Sequence, residues 1–241
     1  MWLTASYIPT TFFSLKPASS TSTGGKSLVC PTPFAIKMAL LDAAIRTGGV
    51  STGEVLFPAI RGLRIALKPP SLAVVNNTFI KILKPPKGKP TVDPDLNLTI
   101  PLINTIAFRE QVNFQGAMQF AFQGMAEDEM EPLLLQINYF GKRGGFFQLQ
   151  SAPETNDWPD EELAQNGYTL LTEPTTEFLV DGLLQMLDDC GPKMTFAQAD
   201  IYSDKRITLG KERILHHVVL PYRLVRSSKG YSYYERIEDS R

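Results

Sequence analysis

The sequence predicts an α+β protein: a ferredoxin-like βαββαβ domain with a hairpin insertion and a smaller, β-rich C-terminal extension. Two observations carry this prediction. Apolar segments run in the order strand, helix, strand, strand, then, after an interruption, strand, helix, strand over residues 1–150. The interruption is a proline- and lysine-rich stretch, KPPKGKPTVDPDLNL, that no buried element tolerates. The expected division is therefore a domain over 1–150, with an insertion at about 84–105, and an extension over 151–241.

Residues 3–13 alternate Ser and Thr with Tyr7, Ile8, Phe12 and Phe13, which suits a strand interrupted at Pro9. Residues 33–46 place Phe34, Met38, Leu41 and Ile45 at helical spacing, with Pro33 at the start and Gly48-Gly49 past the end. Segments 55–67 and 71–83 are rich in Val, Ile, Leu and Phe and read as neighbouring strands across Lys68-Pro69-Pro70. Residues 106–123 alternate apolar and polar side chains as one strand or two. In 125–141 acidic residues and Pro132 precede an apolar run closed by Gly141, the pattern of a helix whose N-terminal dipole favours negative charge. Residues 142–150 turn through Gly144-Gly145 into a strand. Beyond Ser151 the pattern predicts one helix, 177–189, and a hairpin in which 213–225 and 231–235 flank Ser-Ser-Lys-Gly.

The stretch TSTGGKSL at 21–28 ends like a phosphate-binding loop, but the rest of that motif is missing. Ser20 stands where its first glycine belongs, the approach SLKPASS is not a buried strand, and Pro31 and Pro33 interrupt the expected helix. It reads as a polar loop able to follow a nucleic-acid backbone. Cys30 and Cys190, the only cysteines, lack paired-ligand spacing, and the acidic run Asp157, Asp160, Glu161, Glu162 reads as a solvated loop rather than a cation site. No cofactor and no metal are expected. No apolar run approaches the ~18 residues of a membrane span, and the N-terminus lacks the basic start of a secretory signal, so a cytoplasmic protein without membrane contact is expected.

Net charge is −1, yet residues 1–100 carry 11 Lys and Arg against four Asp and Glu, and the remainder 13 against 21. Such asymmetry points to one basic face for a polyanion. Lys142-Arg143 beside Gly144-Gly145, with Tyr139, Phe140, Phe146 and Phe147 nearby, combines cations with close backbone approach, and it fits an unstacked RNA strand or an ordinary helix cap. His216 and His217 are adjacent on a strand and point to opposite faces, so they cannot act together on one substrate.

Three strings resemble one family: TASYIPTTFFSLKPASSTSTGGKSLVCPTPFAIKMALLDAAIR, IAFREQVNFQGAMQFAF and LLLQINYFGKRGGFFQL. Their order is similar to that of the Cas five subunit of type I CRISPR effector complexes (Cascade), within the RAMP superfamily, over residues 1–150; a type I-B-like system is the expected subtype. The resemblance implies a non-catalytic subunit that holds the 5′ handle of the crRNA, contacts backbone and large subunits, and meets target DNA only indirectly. It implies RNA contacts at Lys16, Lys26, Lys37, Arg109, Lys142, Arg143 and Gly144, and a thumb carrying Lys84, Lys87 and Lys89. The alternatives are a metal-independent endoribonuclease that processes repeat RNA, using His216 or His217, and a protein-only scaffold.

Overall fold

The computed structural model describes residues 1–20, 25–88, 91–93, 95–100, 102–176 and 178–237. It is a mixed α/β protein whose named strand pairings are all antiparallel. The chain runs β1 (Trp2–Pro9), α1 (Pro33–Gly62), β2 (Arg64–Lys68), β3 (Leu72–Lys84), β4 (Thr91–Val92), β5 (Thr99–Ile100), β6 (Ile103–Gln115), β7 (Met118–Gln123), α2 (Glu127–Leu134) and β8 (Phe147–Leu149). It continues through β9 (Glu154–Asn156), α3 (Asp160–Gln165), β10 (Thr169–Leu170), β11 (Leu183–Cys190), α4 (Phe196–Ala199), β12 (Arg213–Leu220), β13 (Tyr222–Ser227) and β14 (Tyr231–Arg236).

The central sheet has the order β10-β2-β7-β1-β8, with β9 also on β1. Period-two alternation sends Leu3, Ala5 and Tyr7 of β1, Ile65 and Leu67 of β2, and Phe120 and Phe122 of β7 toward the helices. There they meet Ile36, Leu40, Phe57 and Ile60 of α1 and Leu133 and Leu134 of α2. Trp2, Ala66 and Ala121 occupy the other face, covered by Trp158, Leu163, Tyr168 and Leu170, so the sheet is buried on both sides. Residues beyond 150 thus complete this sheet, and β14 joins the edge of β3 in a second sheet, β13-β14-β3-β6.

Between β2 and β7 the chain leaves the central sheet as a long hairpin. β3 and β6 pair from Leu72↔Gln115 to Lys84↔Ile103, and β14 accompanies β3 only over Leu72 to Asn76. Among the described residues, the distal ribbon therefore has no named strand on either side. Its tip is the proline-rich insertion, in which β4 and β5 form a short pair. Phe79 and Phe108, directly opposite, pack edge to face at 5.3 Å while Phe79 stays 76% exposed.

Several expectations are corrected. Segment 55–67 is a strand only from Arg64; residues up to Gly62 continue α1, which kinks at Gly49 (φ 85°), a left-handed angle natural to glycine. The buried residues Gly53, Phe57 and Ile60 follow helical spacing, and the β-branched Val55 that suggested a strand is exposed. The helix expected at 177–189 is instead β11, because Leu183 to Cys190 pair along all of β12. Residue 177 lies outside the described residues. The helices of this region are α3, built from the acidic stretch that was read as a loop, and the single turn α4. Finally, α2 ends at Leu134 rather than at Gly141.

Candidate nucleic-acid interface

Five segments meet around the N-terminal end of α1. Leu15 and Leu28 form an isolated bridge, the Leu15 amide donates to Ser27 Oγ (2.9 Å), and so residues 14–16 and 26–28 lie side by side. Gly25 then runs parallel to β6: its N–H donates to the Phe108 carbonyl (2.9 Å), and the Glu110 N–H donates to its carbonyl (3.2 Å). The Glu110 carboxylate is buried beneath this crossing. Oε1 lies 2.7 Å from Lys26 Nζ and Oε2 accepts from the Ser27 amide at 2.7 Å, which gives a desolvated charge the partners it requires. The hydrogen bond to Glu110 is also the main reason that the Lys26 ammonium titrates above its ordinary value.

Lys26 and its neighbours line a cleft of about 460 Å³. Lys16, Arg109 and Lys142 stand around it, and Leu15, Leu28, Phe34 and Met38 supply apolar wall. The start of α1 opens onto the same space. Thr32 caps it by accepting from the Ala35 amide, and the first turn contains no acidic residue, so its positive dipole end is not neutralised. A smaller hollow of about 160 Å³ shares Leu15, Arg109 and Lys142 and adds Arg143, Gly144 and Phe12. The turn between them depends on glycine: Gly144 has φ 107°, and a Cβ on Gly145 would sit 2.7 Å from that of Phe13.

Six residues expected at an RNA surface, Lys16, Lys26, Arg109, Lys142, Arg143 and Gly144, thus converge on two adjoining clefts. Lys37 does not, and its assignment is corrected. It is 2% exposed, its ammonium lies 2.7 Å from Asp189 Oδ1, and it donates to the Arg61 carbonyl at 2.9 Å. A buried cation with all its reach committed inward cannot meet a phosphate. Lys84 and Lys87 lie where the distal ribbon ends, and Lys89 falls outside the described residues.

Three residues of the cleft escaped the sequence reading. Arg213 of β12 extends into it, with its guanidinium carbon 4.1 Å from the Phe34 ring centre and Nε donating to Asp188 Oδ2 at 2.6 Å. Phe34 had been read as one position of an apolar helix face, and Asp188 as part of a helix. The only sequence signal was a lone arginine opening an apolar strand, which is too common to single out.

The aromatic neighbours of Lys142 divide. Phe140 and Phe147 are core residues and Phe146 is partly exposed. In the C-terminal hairpin Tyr222 is buried and donates to the Pro70 carbonyl at 2.8 Å, anchoring the hairpin to the base of the ribbon. The two histidines take opposite sides of β12. His217 stacks on Phe178 at 5.9 Å, whereas His216 faces a cavity of about 340 Å³ with Lys37, Asp189 and Glu173. Its Nε2 is buried without a partner, and burial holds the imidazole below its ordinary pKa. Among the described residues no group of three His, Cys, Asp or Glu side chains is arranged to hold a metal ion, and no helix is long and apolar enough to cross a membrane.

No family model matches this chain. Over 103 residues it is 36% identical to the CRISPR-associated protein Cas5 of Archaeoglobus fulgidus, a match that spans 42% of this chain and 45% of that relative. Similarity to a Cas5 protein is therefore present over somewhat less than half the length of either chain. Among solved structures, a CRISPR protein from Archaeoglobus fulgidus aligns over 99% of this chain and 93% of its own at 12% identity and a TM-score of 0.49. A chain of a CRISPR RNA-guided surveillance complex aligns over 91% of each at 15% identity and a TM-score of 0.47.

Proposed function

We propose that this protein is a Cas5-like, non-catalytic subunit of a Cascade-type ribonucleoprotein, and that its cleft holds the 5′ handle of the crRNA. The observation that carries the proposal is the convergence of Lys16, Lys26, Arg109, Lys142 and Arg143 at the uncapped-by-acid start of α1, in a chain similar to a Cas5 protein. Cations around a helix N-terminus attract phosphates without reading sequence, which suits a constant segment whose partner strand is chosen elsewhere by base pairing.

The strand order supports a ferredoxin-like core. β8-β1-β7-β2, all antiparallel, with α1 after β1 and α2 after β7, is a βαββαβ unit whose second and third strands are separated by the β3–β6 hairpin. That hairpin is the thumb of the proposal. Its exposed Phe79, Leu83 and Ile106 are suited to pack on an adjacent backbone subunit, and Lys84 and Lys87 on RNA nearby. The body contacts the large subunit, and target DNA is met through the guide. The inward, unpartnered Nε2 of His216 and the stacked ring of His217 support a binding role over ribonuclease chemistry, since a general acid or base must reach its substrate.

Replacing Lys142 and Arg143 together with alanine tests this site. Guide RNA retained by the assembled complex should fall, and retention should depend less steeply on salt than in wild type. Retention equal to wild type across a salt series removes the cleft from RNA binding. Incubating the purified chain with CRISPR repeat RNA tests the absence of catalysis, where cleavage abolished by His216→Ala would establish the ribonuclease instead.

A further inference from the structure

Resting on that RNA-binding reading, we propose that the larger cleft receives one unstacked nucleobase and selects it by its hydrogen-bond donors. Four cations would suffice for a backbone track, but this cleft has features a track does not need. Leu15, Leu28, Phe34 and Met38 give it an apolar interior, and its volume of about 460 Å³ is that of a small-molecule site. A buried carboxylate, Asp188, lines it, 2% exposed and paired on Oδ2 with Arg213 Nε. An acceptor-only group in a phosphate channel would repel its ligand, so its presence calls for a ligand that donates.

Arg213 supplies the platform. Its guanidinium lies over Phe34 at 4.1 Å, and the 2.6 Å bond from Nε to Asp188 fixes the plane. Unstacked bases lie on such guanidinium planes as they do on aromatic rings. With a base stacked there, Oδ1 of Asp188 accepts from its edge. Guanine offers adjacent N1–H and N2–H donors; adenine and cytosine offer one amino group; uracil presents a single N–H between two carbonyls that a carboxylate repels. The phosphates flanking this nucleotide meet Lys16 and Lys142, which line the same cleft. The cleft thereby prefers guanine and rejects uracil.

The test uses the full chain and short oligouridine probes in which one position is uridine, guanosine, adenosine, cytidine or abasic. Wild type should bind the guanosine probe on the order of 10-fold more tightly than abasic RNA, the increment of one stacked base, and more tightly than all-uridine RNA, whose base stacks but turns carbonyls to Asp188. Asp188→Asn keeps an acceptor for Arg213 but turns an amide donor to the cleft, so guanosine should lose its advantage and uridine gain. Phe34→Leu, which leaves every charge in place, should shrink the difference among bases while retaining binding. Equal affinity for all five probes, or a guanosine preference that survives in Asp188→Asn, overturns the base pocket and leaves phosphate binding standing. Binding of none of them overturns both the pocket and the RNA reading beneath it.

Discussion

Asp188 and Asp189 are neighbours on β11, each buried and each paired with a cation, yet they serve different regions. Strand alternation turns Asp188 to Arg213 at the open cleft and Asp189 to Lys37 in the interior between α1 and the β11–β12 pair. The cleft pair leaves the Arg213 side chain 33% exposed, and Lys37 in the interior is 2% exposed. Two similar ion pairs one residue apart thus divide between a surface available to ligands and a surface that holds the fold together. Charge in a sequence says nothing of this division; the face of the strand decides it.

The comparison breaks most visibly at Lys37. Lys37→Ala leaves Asp189 buried and uncompensated, a group whose pKa burial already raises, and should destabilise the fold by about 3–5 kcal/mol in denaturant unfolding. Replacing Lys37 by Met and Asp189 by Leu together should recover most of that loss, because no charge is then stranded. RNA affinity per folded molecule should be unchanged in both, which separates the interior pair from the cleft.

Glu110 is intermediate, a buried carboxylate whose work is to hold Lys26 and Ser27 on β6. Glu110→Ala should cost about 1–3 kcal/mol and expose the Ser27 amide to hydrogen exchange, while amides of β1 and β7 keep their protection. An unchanged Ser27 exchange rate contradicts the clamp. At the cleft itself, Lys142→Ala with Arg143→Ala should leave stability within about 0.5 kcal/mol, as exposed substitutions do. The slope of log affinity against log salt should become shallower by roughly 0.7 for each single-strand phosphate contact removed.

The smallest effect belongs to His216. Its folded pKa lies below its ordinary value of about 6.5 because burial disfavours the imidazolium, although Asp189 and Glu173 oppose that shift and Lys37 adds to it. A depressed folded pKa contributes stability that is present above the unfolded value and lost as pH falls through the folded one. The stability of wild type against thermal unfolding should therefore fall as pH drops below about 6.5, and His216→Asn should flatten that segment of the curve. Identical pH curves would show that the imidazole titrates freely.

Local pattern was legible where the chain's own periodicity decides the outcome. The strand through Tyr7, the first half of α1, the strands Ile103–Gln115 and Met118–Gln123, and the turn between Tyr222–Ser227 and Tyr231–Arg236 follow alternation, helical spacing or turn chemistry, whereas the first hairpin strand expected at 213–225 is divided, because Arg213–Leu220 pairs with β11 and only Tyr222–Ser227 with β14. What was not legible depends on distant partners. Leu183, Leu184 and Leu187 have helical spacing, but β12, some thirty residues on by loop closure, supplies a partner strand rich in Ile and Val that overrides it. Gly48-Gly49 marked a real break, yet the chain re-enters a helix at once, and the β-branched Val55 disguised this. In the site, the exposed cations near glycine turns were readable from composition. Lys37 looked the same in sequence, and Arg213 with Asp188 became partners of Phe34 only through tertiary packing.

The central claim is that this chain holds the constant end of a guide RNA. Purifying it with its native partner subunits, under conditions that spare RNA, and sequencing what copurifies tests that claim directly. The account predicts RNAs that share one constant 5′ segment followed by variable sequence, and that are depleted in the Lys142→Ala, Arg143→Ala variant. RNA of unrelated 5′ ends, or no RNA at all, would contradict it.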